Sequence, residues 1–287
     1  MKLFSTAALL GLFSLAVSAT DVFYGLNYGI NTNACPSLDQ LKADFTKIKQ
    51  YTNRVRVFSL SPCNQGQLAL QAANALGMNI YLGMWIDRPD TFASEMQALT
   101  NIINSGESLS RVDAVIVGSE VLYRNDTDAN TLAQYIQKVK ALVKPKGVSV
   151  TNADVYYKFP PVVVEQLDFL MMNAFPYWEG VTADQGANTL MQHYQSVVSV
   201  AQGKPVRISE TGWPTAGDNF GASVPSAENQ RLYLSNVLCQ TRQKNIDMIW
   251  FSALDEPYKA GVEQHWGIMN SDGSLKSALS PITSLGC

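Results

Sequence analysis

Carboxylates end most of the short apolar runs in this sequence, so carboxylate chemistry is the first chemistry it offers. Glu120 closes Val117-Gly118-Ser119-Glu120, Glu210 closes Ile208-Ser209-Glu210 and Asp87 closes Met84-Trp85-Ile86-Asp87. Asp154, Glu179, Asp255 and Glu256 follow other runs. Two carboxyl groups at a fixed separation suffice to cleave a glycosidic bond: one protonates the leaving oxygen and the other attacks the anomeric carbon or activates water. Glu120 and Glu210 are the preferred pair because each directly ends an apolar run. The other carboxylates would serve equally well as ion pairs or helix caps. There is no Gly-x-Ser-x-Gly elbow, and of the two histidines only His265 falls near the end of a run, so a serine or cysteine nucleophile has no base.

Rings gather beside the same positions. Tyr28, Phe58, Trp85, Tyr123, Tyr177, Trp178, Trp213, Tyr258 and Trp266 all fall in or next to the ends of apolar runs. A flat aromatic face suits the apolar face of a pyranose while neighbouring polar groups take its hydroxyls. For any single ring, packing of a loop is the alternative. An aromatic rim with several carboxylates fits a neutral polymeric ligand better than a small acidic one.

These residues need a scaffold that brings run ends together. Eight apolar runs rich in β-branched and aromatic residues are present: 23–27, 54–59, 79–85, 114–120, 148–153, 169–174, 206–210 and 248–253. Segments 38–50, 65–76, 91–105, 130–143, 189–201 and 227–241 carry apolar residues at three- and four-residue intervals. Strand and helix signals that alternate in this way predict βα units and a parallel sheet. An open doubly wound sheet would put a glycine-rich phosphate loop after its first strand, and Tyr24-Gly25-Leu26-Asn27-Tyr28-Gly29 does not match one. The fold class these signals support is α/β, a single (β/α)8 TIM barrel. At roughly 30 residues per unit, Glu120 and Glu210 stand three units apart, on strands four and seven, and face each other across the C-terminal mouth.

Whole-chain properties narrow the partners. Met1-Lys2-Leu3 leads into an apolar stretch that ends at Val17-Ser18-Ala19, the pattern of a secretory signal over 1–19, with 20–287 left as one catalytic domain. That stretch is too short to span a bilayer, and the C-terminus lacks the hydrophobic tail of a lipid anchor. A net charge of −3 gives no basic patch for nucleic acid. The four cysteines of a secreted chain imply two disulfides with three possible connectivities, of which spacing favours Cys35–Cys63 and Cys239–Cys287. With two histidines and no paired ligand spacing, neither a metal nor a cofactor is expected. Asn125-Asp126-Thr127 is a glycosylation sequon.

Ile208-Ser209-Glu210-Thr211-Gly212-Trp213-Pro214 resembles the nucleophile segment of glycoside hydrolase family 17. Val117-Gly118-Ser119-Glu120 with Leu122-Tyr123-Arg124 resembles the acid/base segment of the fungal branch of that family. Tyr24 to Tyr28, Met172 to Tyr177 and Phe251 to Pro257 also fit, so the resemblance spans the mature chain. It implies a (β/α)8 fold, retention of anomeric configuration, and a linear β-1,3-glucan as both donor and acceptor. It further implies a secreted, wall-associated monomer that transfers the cleaved glucan to another glucan chain. Plain endo-hydrolysis, or a non-catalytic glucan-binding wall protein, is the alternative. By position, Glu120 is the acid/base, Glu210 the nucleophile, and Asn173, Tyr177, Glu256 and Lys259 sugar contacts. Tyr28, Phe58, Tyr123, Trp178, Glu179, Trp213 and Asp255 complete the candidate binding set. Many members of the family have Asn immediately before the acid/base, where it binds the 2-hydroxyl of the sugar; in this chain that position is Ser119, and water or Asn173 would replace it.

Overall fold

A computed structural model describes residues 21–287, and the expected signal segment 1–19 lies outside the described residues. Eight parallel strands run β1 Gly25–Asn27, β2 Arg54–Val57, β3 Asn79–Met84, β4 Val112–Ser119, β5 Ser149–Val155, β6 Leu170–Asn173, β7 Val206–Glu210 and β8 Ile249–Trp250. They pair in the order β7-β6-β5-β4-β3-β2-β1-β8. A single parallel bridge, Ile208 to Met248, brings the two ends of the sheet together into a nearly closed barrel.

Residues of period two divide between two cores. Leu26, Val55, Val57, Ile80, Leu82, Val115, Val117, Leu170, Met172 and Ile208 pack outward with the helices in the larger one. Their neighbours Tyr81, Ala114, Ile116, Ala153, Met171 and Ile249 form a second, smaller cluster inside the barrel. A strand in this fold is therefore buried on both faces, as the near-continuous apolar runs require. The outer layer is α1 Leu38–Ile48, α2 Gln65–Leu76, α3 Pro89–Asn104, α4 Ala129–Val143, α5 Pro161–Val164, α6 Ala183–Val200 and α7 Ala227–Lys244. Caps fix several starts: Ser37 and Gln40 form a reciprocal capping box on α1, and Asp128 and Ser226 accept from first-turn amides of α4 and α7.

The structure corrects the sequence reading at several boundaries. Strand β4 starts two residues earlier than expected and ends at Ser119, so Glu120 lies just past the strand. Strand β8 is only two residues long. Helix α6 begins at Ala183 because Thr182 opens a further helical turn whose small residues, Ala183, Gly186 and Ala187, bury against the core without an apolar stripe long enough to read. The link from β5 to β6 carries only the four-residue α5, and after β8 the chain makes short 3-10 turns in place of an outer helix.

Two disulfides, Cys35–Cys63 and Cys239–Cys287, pair as the spacing favours and match an oxidising, extracellular environment. The first ties the loop after β1 to the turn after β2 at the barrel mouth; the second ties α7 to the C-terminal residue. Among the described residues no helix is long and apolar enough to cross a membrane.

The turn after β2 is held from below. Glu95 of α3 is buried and accepts from Ser59 Oγ at 2.6 Å, Leu60 N at 2.7 Å, Ser61 N at 3.0 Å and Ser61 Oγ at 2.7 Å. Four donors converge on one carboxylate, and removing it leaves buried donors without partners. Glu95→Leu is expected to cost about 3 kcal/mol or more of stability, read as a lower urea midpoint at unchanged slope.

Candidate active site

Glu210 is the last residue of β7, and its surroundings account for most of the motif around it. Ser209 Oγ donates to Asn173 Oδ1 at 2.7 Å, and Thr211 Oγ1 and Tyr233 Oη lie 2.5 Å apart. A side chain at Gly212 would collide with the carbonyl oxygen of Phe251, so only glycine allows β7 to pass so close to the end of β8. Trp213 is fully buried, donates from Nε1 to Val224 O at 3.0 Å and packs between Tyr177 and Tyr233. The motif is thus largely the scaffold of one carboxylate.

Oε1 of Glu210 accepts from Arg56 Nη1 at 2.6 Å, Asn173 Nδ2 at 2.9 Å and Ser119 Oγ at 3.1 Å. Oε2 has no hydrogen-bond partner among the described residues. Arg56, on β2, is 1% exposed and neutralises the buried carboxylate charge. Its other contacts are Asn27 Oδ1 at 3.0 Å, Ser209 O at 3.3 Å and Ser119 Oγ at 3.1 Å.

Glu120 follows β4 with φ at 57°, in the left-handed region where a non-glycine residue is strained by about 1–3 kcal/mol. Several bonds hold it there. Its amide donates to Ala153 O at 2.9 Å, its carbonyl accepts from Arg124 N at 3.0 Å, and buried Asp154 accepts from Leu122 N at 2.9 Å. Burial raises the Asp154 carboxyl to about 6 against the pull of the Leu122, Val155 and Tyr123 amides. The Glu120 carboxyl is pushed up to about 7, chiefly by burial and next by the charge of Glu210, while Asn173 and Arg124 pull it down. Exclusion from water is thus the larger cause of the rise and the Glu210 charge the smaller.

Asn173 ends β6 and joins the two glutamates. Its Nδ2 lies 3.0 Å from Glu120 Oε1 and 2.9 Å from Glu210 Oε1. Those two oxygens therefore cannot be as far apart as the roughly 6.5 Å at which inverting pairs begin. Ser119 points its hydroxyl at Glu210 and is 3.3 Å from Asn173 Nδ2.

The pair sits between two basins. One, of about 630 Å³, is aromatic and includes Tyr123, Tyr157, Trp178 and Phe220; the other, of about 590 Å³, includes Phe58, Trp85, Glu256 and Lys259. Glu120, Glu210, Phe251 and Glu263 line both. Tyr123 and Trp178 are 48% and 41% exposed, so their rings are available to a ligand. Glu179 lines the aromatic basin with its carboxylate bonded to His193 Nε2 at 2.8 Å. Glu256 is held by Lys259 and Tyr258, each at 2.5 Å.

Four candidate contacts lie elsewhere than expected. Trp213 and Tyr177 are buried under the aromatic basin, and the Tyr177 hydroxyl donates to the Asp218 carbonyl. Tyr28 is buried against Phe45 and donates to Asp44 at 2.7 Å. Asp255 is bound to Lys276 at 2.8 Å and to Gly267 N at 2.9 Å. Nearness to a strand end made these residues candidates, but sequence does not show which way a side chain turns. Arg56 and Glu263 were missed. Arg56 had a signal, a charge inside a β-branched run; Glu263, in a 3-10 turn, had none. Burial, Glu256 and Glu210 raise the Glu263 carboxyl against the pull of Lys259.

The model of the BtgE/BtgC glycoside hydrolase domain matches residues 25–267. A glucan 1,3-beta-glucosidase of Saccharomyces cerevisiae is 31% identical, covering 93% of this chain and 97% of its own. The family 17 beta-1,3-glucanosyltransferase of Rhizomucor miehei is 61% identical with a TM-score of 0.90, over 93% of this chain and 99% of its own. An active-site mutant from the same organism, solved in complex with laminaritriose, is 62% identical with a TM-score of 0.88, over 90% of this chain and 96% of its own. With a barrel of this order, a glutamate pair at the ends of strands four and seven, and these matches over nearly the whole described chain, the protein belongs to glycoside hydrolase family 17, in the fungal branch defined by the BtgE/BtgC domain.

Proposed function

We propose that the protein cleaves linear β-1,3-glucan by double displacement and passes the cleaved glucan to the hydroxyl of a second glucan chain, as a secreted enzyme of the cell wall. The observation that supports this reading is the Asn173 amide shared by Glu120 and Glu210, which keeps their Oε1 atoms closer than the roughly 6.5 Å at which inverting pairs begin. In the first step Glu210 Oε2, the oxygen without a hydrogen-bond partner, attacks the anomeric carbon. The bond to the leaving oxygen breaks as Glu120 gives that oxygen its proton. In the second step Glu120 takes the proton of the acceptor hydroxyl, whose oxygen attacks the same carbon and releases Glu210 as a carboxylate. The ester intermediate removes the Glu210 charge, which frees Glu120 to act as a base.

Two basins on either side of the pair offer room for sugar on both sides of the cut. The Rhizomucor relative, a glucanosyltransferase, favours transfer. Plain hydrolysis is the second reading, favoured by the glucosidase of Saccharomyces and by a probable glucan endo-1,3-beta-glucosidase of Aspergillus fumigatus at 31% identity.

Incubation with a β-1,3-gluco-oligosaccharide and sizing of the products separates the readings: products longer than the substrate are expected, and only shorter ones would mean hydrolysis. Glu210→Gln and Glu120→Gln should each lower turnover by about 10²-fold or more, and full activity in either would overturn the assignment. The pH profile has a definite sign. A carboxyl raised to about 7 stays protonated below that value, so kcat/KM holds there and falls about tenfold per pH unit above it. An alkaline limb that began near pH 5 instead would contradict the raised Glu120 carboxyl.

A further inference from the structure

Helix α5 has four residues where the other six have between 11 and 18, so the flank between α4 and α6 lacks its usual cover. A groove of about 740 Å³ runs along that flank, past the start of α4, the 156–160 segment and the end of α6. Tyr156 and Tyr157 line both this groove and the aromatic basin of the cleft, so the two are adjacent. Tyr157 is 58% exposed and stands edge-on to Tyr123 and Tyr156, with ring centres 6.4 and 5.0 Å away. It is a solvent-exposed aromatic face at the junction. Beyond it the groove mixes apolar Val200 and Phe159 with the polar side chains of Asn125, Thr127 and Lys158. Asp128, also in the lining, is engaged in capping α4. The lining therefore has no concentrated charge, which suits a neutral polyhydroxylated ligand better than an anionic one.

We propose that this groove is a remote binding site for β-1,3-glucan, taking a part of a long chain outside the cleft. The proposal rests on the substrate reading above. Sugar bound there strengthens the hold on long chains without touching the reacting bond, so the groove sets a preference for chain length.

The test compares kcat/KM for long soluble laminarin with kcat/KM for a short β-1,3-gluco-oligosaccharide, on protein freed of N-glycan so that no sugar on Asn125 fills the groove. Val200→Arg, at an exposed position, is expected to lower the long-to-short ratio roughly threefold to tenfold. Leu232→Arg, an equally exposed apolar position on α7 away from the groove, should keep the wild-type ratio. A wild-type ratio in Val200→Arg overturns the proposal and leaves the groove to the Asn125 glycan or to another partner. If wild-type protein turns over neither glucan, it is the substrate reading that fails. Affinity electrophoresis in laminarin then decides the groove by itself: less retardation of Val200→Arg than of wild type supports it, and equal retardation overturns it.

Discussion

At the upper end of the barrel a guanidinium is taken out of water to serve a carboxylate. Arg56 and Glu210 form an ion pair at 2.6 Å in which neither group has appreciable access to solvent. Desolvating two charges is expensive, and such a pair holds only where its remaining donors and acceptors are also satisfied. Asn27, Ser119, Asn173 and Ser209 do most of that work, although Arg56 Nε is left without a partner. Each of these polar residues sits at or near the end of a different strand, β1, β4, β6 or β7, and each is itself oriented by another member of the set. The closure of the barrel and the placement of Glu210 are one problem, solved by a single hydrogen-bonded layer above the apolar plug formed by Tyr81, Ile116 and Met171.

That layer treats the two glutamates differently. Glu210 is gripped on one oxygen by three donors, including a full positive charge, which suits a group that must be ionised. Glu120 receives one amide at 3.0 Å and a guanidinium no closer than 3.8 Å, so burial dominates and holds its proton to about 7. Two residues of the same type acquire opposite roles from what surrounds them. The left-handed backbone at Glu120 is part of that arrangement: a turn just past the strand brings the side chain back over the mouth, and Asp154 anchors the next residues from the end of β5.

Much of this was legible in the sequence. Glu210 could be read because its strand, in which Val206 and Ile208 alternate with Arg207 and Ser209, stops on a carboxylate, and the Gly212 after it must be small to let β7 pass β8. The eight strands and most helices could be read because a barrel buried on both faces leaves long apolar runs. What was hidden depends on direction and partnership. Arg56 alternates with valines and looks like the wet side of a half-exposed strand, yet in a barrel its side is the interior. Trp213, Tyr177, Tyr28 and Asp255 stand where a sugar-binding residue would stand in the sequence, but their side chains turn into packing or an ion pair. Burial, which sets the Glu120 proton, belongs to the assembled mouth and to no segment of the chain.

One amide bridges the two glutamates, and the proposed direct attack of Glu210 on the sugar rests on that closeness. Proton NMR of the first elongated products formed from a β-1,3-gluco-oligosaccharide tests it most directly, because the new glycosidic bond fixes the anomeric configuration in which the sugar was transferred. Attack by Glu210 followed by attack of the acceptor predicts a new β linkage. A new α linkage would mean inversion by a single displacement, and would contradict the assignment of Glu210 as nucleophile.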